Sequence, residues 1–338
     1  MRKDLVMGPA FAGLALTFAF GLPFAAQACE VKDPIEIANM SWPSASILAS
    51  IDDKILSLGY GCKTTLVPGD TLPSATSAIS KGKPQIIPEL WLSNVDQVWQ
   101  KGVSENKVAT GGKVFGNGAV EGWWVPKYVV DAHPDLKSVS DLPKFKSLFE
   151  DMNSPGKGRL YSAPTGWATQ IVTSNLYKAF GLDKDFELYD PGSAGALDAS
   201  IARAYIRKQP ILTYYWTPST IMGKYQFVKL DMPAYNAEGH SCNAKADCQH
   251  PFAGDYPVAN IVSGLTSELK SKAPSVADYL GKQVLDTETL NKLLAWSDEQ
   301  KAEPEATAIH FLKTEKEVWS KWVSADAAAA LSAKLNNL

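Results

Sequence analysis

Short apolar runs typical of β-strands alternate with amphipathic helical segments in the first third of the chain. Three strands are predicted there, at 35–40, 64–68 and 85–90. Helices are predicted between them, at 44–58 and 72–81. Ser44 stands where the first helix should begin and is expected to cap it. Strands that alternate with helices pair in parallel through right-handed crossovers, so the pattern predicts an α/β fold.

The same pattern returns after a glycine-punctuated extended run at 113–125. Strands are predicted at 159–163 and 211–215, and helices at 169–180 and 194–208. A second extended run covers 256–263, and helical spacing continues from 275 to 338.

The chain is predicted to pass between two lobes within these extended runs, near 122–126 and 256–262. The second α/β unit lies between the two passages in the sequence. Two α/β lobes joined by two hinge strands, with a ligand cleft between them, show this pattern. The predicted division is a leader at 1–28, a first lobe at 29–125 plus 257–338, and a second lobe at 126–256.

The first residues read as a secretory signal peptide. Arg2 and Lys3 precede an apolar stretch, and Ala26-Gln27-Ala28 forms an A-x-A cleavage site. We therefore expect the mature chain to be exported, and the resemblance described below implies that its destination is the periplasm. Cys29 follows the site and leaves a lipoprotein as the alternative, although the residues before it match a lipobox poorly.

Four cysteines, an even number, suit an oxidising compartment. Cys242 and Cys248 lie in one polar loop and are predicted to form a disulfide. Cys29 and Cys62 each precede a strand-like run and are predicted to form a second. The alternative is a metal site of Cys242, Cys248 and His250, but its spacing departs from C-x-x-C.

Charge and motifs argue against several classes of function. The net charge is −3 and there is no basic stripe, so nucleic acid is not an expected partner. No G-x-S-x-G, P-loop or H-E-x-x-H motif is present, so neither an enzyme nor a cofactor or metal is expected. A Ser/His/Asp set assembled in space would escape such a search.

Tryptophans stand where strand-like runs end or helices begin: Trp91, Trp167 and Trp216. In open α/β sheets, ligands bind at the loops after the carboxyl ends of strands. Indole π faces attract a cation that cannot donate hydrogen bonds, which favours a quaternary ammonium group. The alternative is that these rings are ordinary core residues.

The chain resembles the periplasmic glycine betaine/proline betaine-binding proteins of ABC importers. The resemblance covers the mature chain and is carried by the Trp91 junction, Gly166-Trp167, the run 214–218 (Tyr-Tyr-Trp-Thr-Pro) and the run 117–123 (Asn-Gly-Ala-Val-Glu-Gly-Trp). It implies a type II two-lobe binding protein in which Trp91, Trp167 and Trp216 surround a trimethylammonium group. It also implies delivery to an ABC permease subunit, without turnover, by a monomer.

The turn at Gly166 suits an anionic end of the ligand. Gly166 permits close approach, and the N–H groups of Ala168 and Thr169 open a helix whose dipole favours a carboxylate. The family often has Gly-Cys at these two positions, but a backbone role survives the change.

Trp42, Glu89 and Glu121 fit a plain betaine site less well. Trp42 follows the first strand and is expected either to form a fourth wall or to pack on the hinge. The two glutamates are expected either to contact the ligand or to lie in salt bridges or solvated faces. A carboxylate beside the box would suit choline or protonated trimethylamine N-oxide.

The leading hypothesis is therefore a binding protein for a glycine betaine-type solute. The alternatives keep the fold and bind trimethylamine N-oxide, dimethylsulfoniopropionate or choline. More remote are a sensor module and a periplasmic enzyme acting on quaternary amines.

Overall fold

The computed structural model describes residues 29–337, so the predicted signal peptide at 1–28 lies outside the described residues. Its strands are β1 (Ile35–Met40), β2 (Thr64–Gly69), β3 (Ile86–Trp91), β4 (Val108–Lys113), β5 (Ala119–Pro126), β6 (Gly158–Tyr161), β7 (Phe186–Tyr189), β8 (Leu212–Thr217), β9 (Phe227–Lys229), β10 (Val258–Ala259) and β11 (Ile261–Thr266). Its α-helices are α1 (Pro43–Lys54), α2 (Thr71–Lys81), α3 (Leu92–Ser104), α4 (Lys127–Ala132), α5 (Ala168–Ala179), α6 (Ala194–Ile206), α7 (Thr220–Lys224), α8 (Ala237–Asn243), α9 (Ser267–Lys272), α10 (Pro274–Lys282), α11 (Thr287–Gln300), α12 (Pro304–Thr314), α13 (Lys316–Trp319) and α14 (Ala325–Leu335). A π-helical turn continues α1 (Ile55–Gly59), and 3-10 segments cover Val139–Phe149 and Leu182–Lys184.

The strands of the described chain form two sheets. The first has the order β2-β1-β3-β11-β4, with β1 parallel to β2 and β3 and with β11 antiparallel to its neighbours. The second has the order β10-β5-β8-β6-β7, with β9 also paired to β5. The predicted α/β class and the parallel pairing of the first three strands are both confirmed.

The first passage of the chain between the two sheets lies at a different place from the first predicted crossing, whereas the return lies within the predicted 256–262. Residues 120–124 of β5 pair with β8 and residues 124–126 pair with β9, so the predicted crossing at 122–126 falls inside the second sheet. The passage lies instead between β4 and β5, at 114–118, and the return lies between β10 and β11. We propose that the first lobe ends within 114–118 rather than at 125.

The first helix differs from its prediction at its start. It begins at Pro43 with Trp42 in the capping position, so Ser44 lies inside the helix and does not cap it. Proline suits a first helical position because the missing N–H would have no intrahelical partner.

The sequence patterns did not predict α3, β4 or β7. The strand β4 contains two glycines and β7 has only four residues, so neither shows a clear alternation.

Both predicted disulfides are present. Cys29–Cys62 ties the start of the described chain to the segment before β2, and Cys242–Cys248 closes the loop after α8. The metal site with Cys242 and Cys248 as ligands is therefore wrong, because the two sulfurs are bonded to each other. Within 29–337, no helix is long and apolar enough to cross a membrane.

A buried carboxyl group joins α1 to the end of α10 in the core of the first lobe. Asp52 Oδ1 accepts hydrogen bonds from the Tyr279 hydroxyl at 2.5 Å and from the Gln283 amide at 2.7 Å. Burial raises the pKa of Asp52 to about 7, although the two hydrogen bonds act in the opposite direction. The folded protein therefore holds a proton that the unfolded chain releases near pH 4.

We expect Asp52→Asn to gain stability relative to the wild type as the pH rises. The folded pKa is the higher one, so the wild type loses stability between about pH 4 and pH 7. The neutral amide removes this loss, on the order of 2 kcal/mol between pH 5 and pH 8. Urea denaturation at both pH values measures it, with the exposed Asp278→Asn as control. A stability difference independent of pH would contradict the prediction.

Candidate functional site

Four tryptophans meet between the two sheets. Trp91 ends β3 and Trp42 immediately precedes α1, both on the side of the first sheet. Trp216 lies near the end of β8 and Trp167 immediately precedes α5, both on the side of the second sheet. The carboxyl ends of strands from both sheets thus bring together indoles that are far apart in the sequence.

The indoles contact one another edge to face. Ring centroids are 5.2 Å apart for Trp42 and Trp167, 5.3 Å for Trp167 and Trp216, and 5.9 Å for Trp91 and Trp216. The interplanar angles are 72°, 74° and 82°. Rings that meet nearly at right angles form the corners of an enclosure, so this cluster fits a tryptophan box. The Tyr215 ring stacks on Trp216 at 4.4 Å.

Glu89 links the two walls that come from the first sheet. Its Oε1 accepts hydrogen bonds from the Trp42 Nε1–H at 2.6 Å and the Trp91 Nε1–H at 3.0 Å. The Ser44 hydroxyl donates to the same oxygen at 3.1 Å. Glu89 is fully buried and joins none of the ion pairs between described residues, so the salt-bridge and solvated-face alternatives are wrong for it.

The geometry places Glu89 behind the indoles rather than on the cavity surface. Burial raises the pKa of Glu89 to about 7, opposed by the three hydrogen bonds. Its other oxygen, Oε2, has no partner among the described residues. A cation in front of the indoles favours the ionised form of this carboxyl.

Glu121 lines the cavity from β5 of the second sheet. The register of β5 and β8 places it across from Trp216, and its Oε1 accepts a hydrogen bond from the Tyr214 hydroxyl at 2.6 Å. Asn94, from α3 of the first lobe, donates to Oε2 at 3.1 Å. Burial raises the pKa of Glu121, although both hydrogen bonds oppose the shift. No salt bridge to Glu121 is found within 29–337, and the residue is fully buried.

The start of α5 supplies hydrogen-bond donors to the cavity. Gly166 has a φ of +103°, which residues with a side chain rarely adopt, and it turns the chain so that α5 begins at Ala168. Ala168 and Thr169 both line the cavity. The first N–H groups of a helix have no intrahelical acceptor, so those of Ala168 and Thr169 are available to a ligand.

The cavity between the closed lobes is small and mostly aromatic. Its lining consists of Trp42, Thr71, Trp91, Asn94, Glu121, Trp167, Ala168, Thr169, Tyr214 and Trp216. No Lys, Arg or His is found among these described lining residues. Buried polar atoms with no protein partner in the described chain face this region: Asn94 Oδ1, Thr169 Oγ1 and Trp216 Nε1. Such atoms are costly unless they find a partner.

Most of the predicted site residues come together here. Trp42 lines the cavity as a fourth wall, so packing on the hinge alone is wrong for it. Gly166 and Glu89 support the walls without lining the cavity. Sequence reasoning missed Tyr214 and Asn94. Tyr214 alternates with Trp216 on β8 and shares its face, a signal that was available. Asn94 depends on contact between the lobes, which no local pattern reveals.

The two lobes are in contact around the box. The His240 Nε2 lies 3.1 Å from the Ser93 carbonyl oxygen. On another part of the rim, Lys224 of α7 pairs with Asp298 of α11 at 2.6 Å. These contacts, together with Asn94 and Glu121, hold the cleft in a closed arrangement.

Glu89→Ala is expected to reduce the free energy of unfolding by about 2–4 kcal/mol, because two indole N–H groups lose their acceptor while still buried. Glu89→Gln keeps an acceptor oxygen and is the matched control, with a smaller loss. Urea denaturation without ligand measures both variants. Equal stability of the alanine and glutamine variants would show that the indole hydrogen bonds contribute little.

Comparison with known proteins agrees with this geometry. The family model described as the substrate-binding domain of ABC-type glycine betaine transport systems matches residues 33–314. Three solved structures align with high coverage. The glycine betaine/L-proline-binding protein ProX from Borrelia burgdorferi has 18% identity and a TM-score of 0.69, covering 88% of this chain and 100% of its own.

An ABC-transporter choline-binding protein in complex with choline has 17% identity and a TM-score of 0.70, covering 93% of this chain and 100% of its own. Lactococcal OpuAC, in its closed-liganded conformation with glycine betaine, has 18% identity and a TM-score of 0.66, covering 87% and 100%. These likenesses confirm the type II, two-lobe binding-protein fold. By the extent of the family match, the chain belongs to the family of substrate-binding domains of ABC-type glycine betaine transport systems.

Proposed function

We propose that this protein captures a small solute with a methylated cationic head in its tryptophan box and delivers it to the permease subunit of an ABC importer. The observation that carries the proposal is the set of four buried indoles at near right angles, with Glu89 behind two of them. The protein acts in the periplasm as a monomer and carries out no turnover.

The box alone does not account for tight binding. A desolvated cation gains on the order of 1–2 kcal/mol from each indole face. Micromolar affinity requires about 8 kcal/mol. Four faces approach this value only if all are fully engaged, so the other end of the ligand needs its own contacts.

The other end of the ligand lies at the start of α5 in this proposal. An oxygen of the ligand accepts hydrogen bonds from the N–H groups of Ala168 and Thr169 and from the Thr169 hydroxyl. Glu121, whose pKa is raised by burial, donates its proton to the same end. These contacts suit a carboxylate, as in glycine betaine, proline betaine or dimethylsulfoniopropionate. The N-oxide oxygen of trimethylamine N-oxide fits the same donors.

Choline is the second candidate, favoured by a specific observation. Two buried carboxyl groups adjoin the box, and the described lining contains no Lys or Arg to balance a ligand carboxylate. A cationic ligand with a hydroxyl group would donate to Glu121, which must then be ionised. The two candidates therefore require opposite protonation states of Glu121.

The variant Glu121→Gln separates the candidates. A glutamine amide replaces the proton that a neutral carboxyl donates, so we expect glycine betaine affinity within about threefold of wild type. Choline would lose the carboxylate that accepts its hydroxyl, and a charge-assisted hydrogen bond amounts to about tenfold or more in affinity. Calorimetry at pH 6 and pH 8 gives both values. Loss of glycine betaine binding in Glu121→Gln would reject the protonated role.

The proposed function is tested by titrating the mature protein with glycine betaine, proline betaine, dimethylsulfoniopropionate, trimethylamine N-oxide and choline. We expect Trp91→Ala, Trp167→Ala and Trp216→Ala each to weaken the preferred ligand about tenfold or more, because each removes one π face. Trp296→Ala is the matched control, since that indole stacks on His310 in the C-terminal helices.

Wild-type affinity in all three box variants would reject the tryptophan box. Conversion of any ligand into product would support the periplasmic enzyme instead. Binding without uptake in cells that contain the partner permease would favour the sensor module.

A further inference from the structure

A chain of two hydrogen bonds crosses the cleft at the rim of the box. The Trp167 Nε1–H donates to Ser41 Oγ at 3.1 Å, and the Ser41 hydroxyl donates to Asp70 Oδ1 at 2.7 Å. Trp167 belongs to the second lobe, whereas Ser41 and Asp70 follow β1 and β2 of the first. Trp167, one of the two walls that the second lobe contributes, is therefore held by side chains of the first lobe.

Asp70 is turned away from the role that its position suggests. It occupies the capping position of α2, where aspartate ordinarily accepts a hydrogen bond from the first turn of its own helix. Here its side chain makes no capping hydrogen bond. Its Oδ1 accepts the hydrogen bond from Ser41 of the same lobe instead, which indicates that this contact replaces the cap.

The second oxygen of Asp70 lies against Gly166. A Cβ atom added to Gly166 would stand 3.1 Å from Asp70 Oδ2, and the positive φ already excludes most side chains. Asp70 thus contacts Gly166, the residue before Trp167. It also accepts the hydrogen bond from Ser41, whose hydroxyl oxygen accepts the Trp167 indole N–H. Because Gly166 has no side chain, the turn of the second lobe can contact this carboxylate directly.

We propose that Ser41 and Asp70 form a latch that fixes Trp167 against the ligand when the lobes close, and so slows ligand release. The proposal rests on the proposed function. Neither residue lines the cavity, so both are positioning residues that act through the indole. The indole N–H has this acceptor only when the lobes meet, which couples completion of the box to closure. Ligand entry, which precedes closure, does not depend on the latch.

Stopped-flow tryptophan fluorescence with glycine betaine and the mature chain tests the latch. Ser41→Ala is expected to raise koff about fivefold, the value of one lost hydrogen bond, and to leave kon within about twofold. Ser41→Thr keeps a hydroxyl and should restore koff. Ser80→Ala is the matched control, because it deletes an exposed hydroxyl on α2 that bonds only within the helix.

A double-mutant cycle assigns the effect to the indole N–H. Trp167→Phe keeps an aromatic face but removes the donor, so Ser41→Ala should cause no further rise in koff in that background. Asp70→Asn should raise koff on its own, and the Ser41→Ala/Asp70→Asn pair should be no worse than the stronger single variant.

A koff within twofold of wild type in Ser41→Ala would overturn the latch, as would an equal rise in the Trp167→Phe background. In either case tight binding by the wild type would leave the proposed function intact. A wild type that binds none of the methylated solutes would overturn both.

Discussion

The site depends on one buried carboxyl group, Glu89, which accepts hydrogen bonds from two indoles at once. Trp42 and Trp91 have no ring contact of their own, so Glu89 is what joins them. The other contacts within the box are edge-to-face ring contacts, and each of them involves Trp167 or Trp216. When a cation in front of the rings favours its ionised form, the same carboxyl places negative charge at their N–H edges and reinforces the attraction of their faces for that cation. Orientation and charge thus come from one side chain.

This arrangement is costly for the empty protein. Glu89 and Glu121 are fully buried without a cationic partner, and burial raises the pKa of both. Several polar atoms around the cavity have no partner in the described chain. The fold tolerates these groups because two large sheets and two disulfides stabilise the scaffold elsewhere. A cationic ligand offsets the desolvation cost of the buried carboxyl groups, so this cost favours binding.

The sequence predicts the fold well where local patterns decide it. The alternation around β1, β2 and β3 and the cysteine spacing lead to the observed sheet and disulfides. It fails where distant segments decide the outcome. The passage between sheets depends on the pairing of β5 with β8, which no local signal reveals. Ser44 is a residue type that often caps helices, but its hydroxyl donates a hydrogen bond to Glu89, which is 45 residues away in the sequence. The tryptophans are visible as junction residues. The position of Glu89 behind two of them depends on how distant segments of the first lobe pack, and the hydrogen bond from Asn94 to Glu121 depends on contact between the lobes.

In the proposed function, the box selects its ligand by positive charge rather than by shape. Calorimetry with glycine betaine and with 3,3-dimethylbutanoate, in which carbon replaces the quaternary nitrogen, tests it most directly, because the two ligands match in size and in their carboxylate. Cation–π attraction by several desolvated rings predicts that the neutral-headed analogue binds at least about a hundredfold more weakly. Equal affinity for the two would mean that positive charge does not select the ligand and that the indoles act only as an apolar surface.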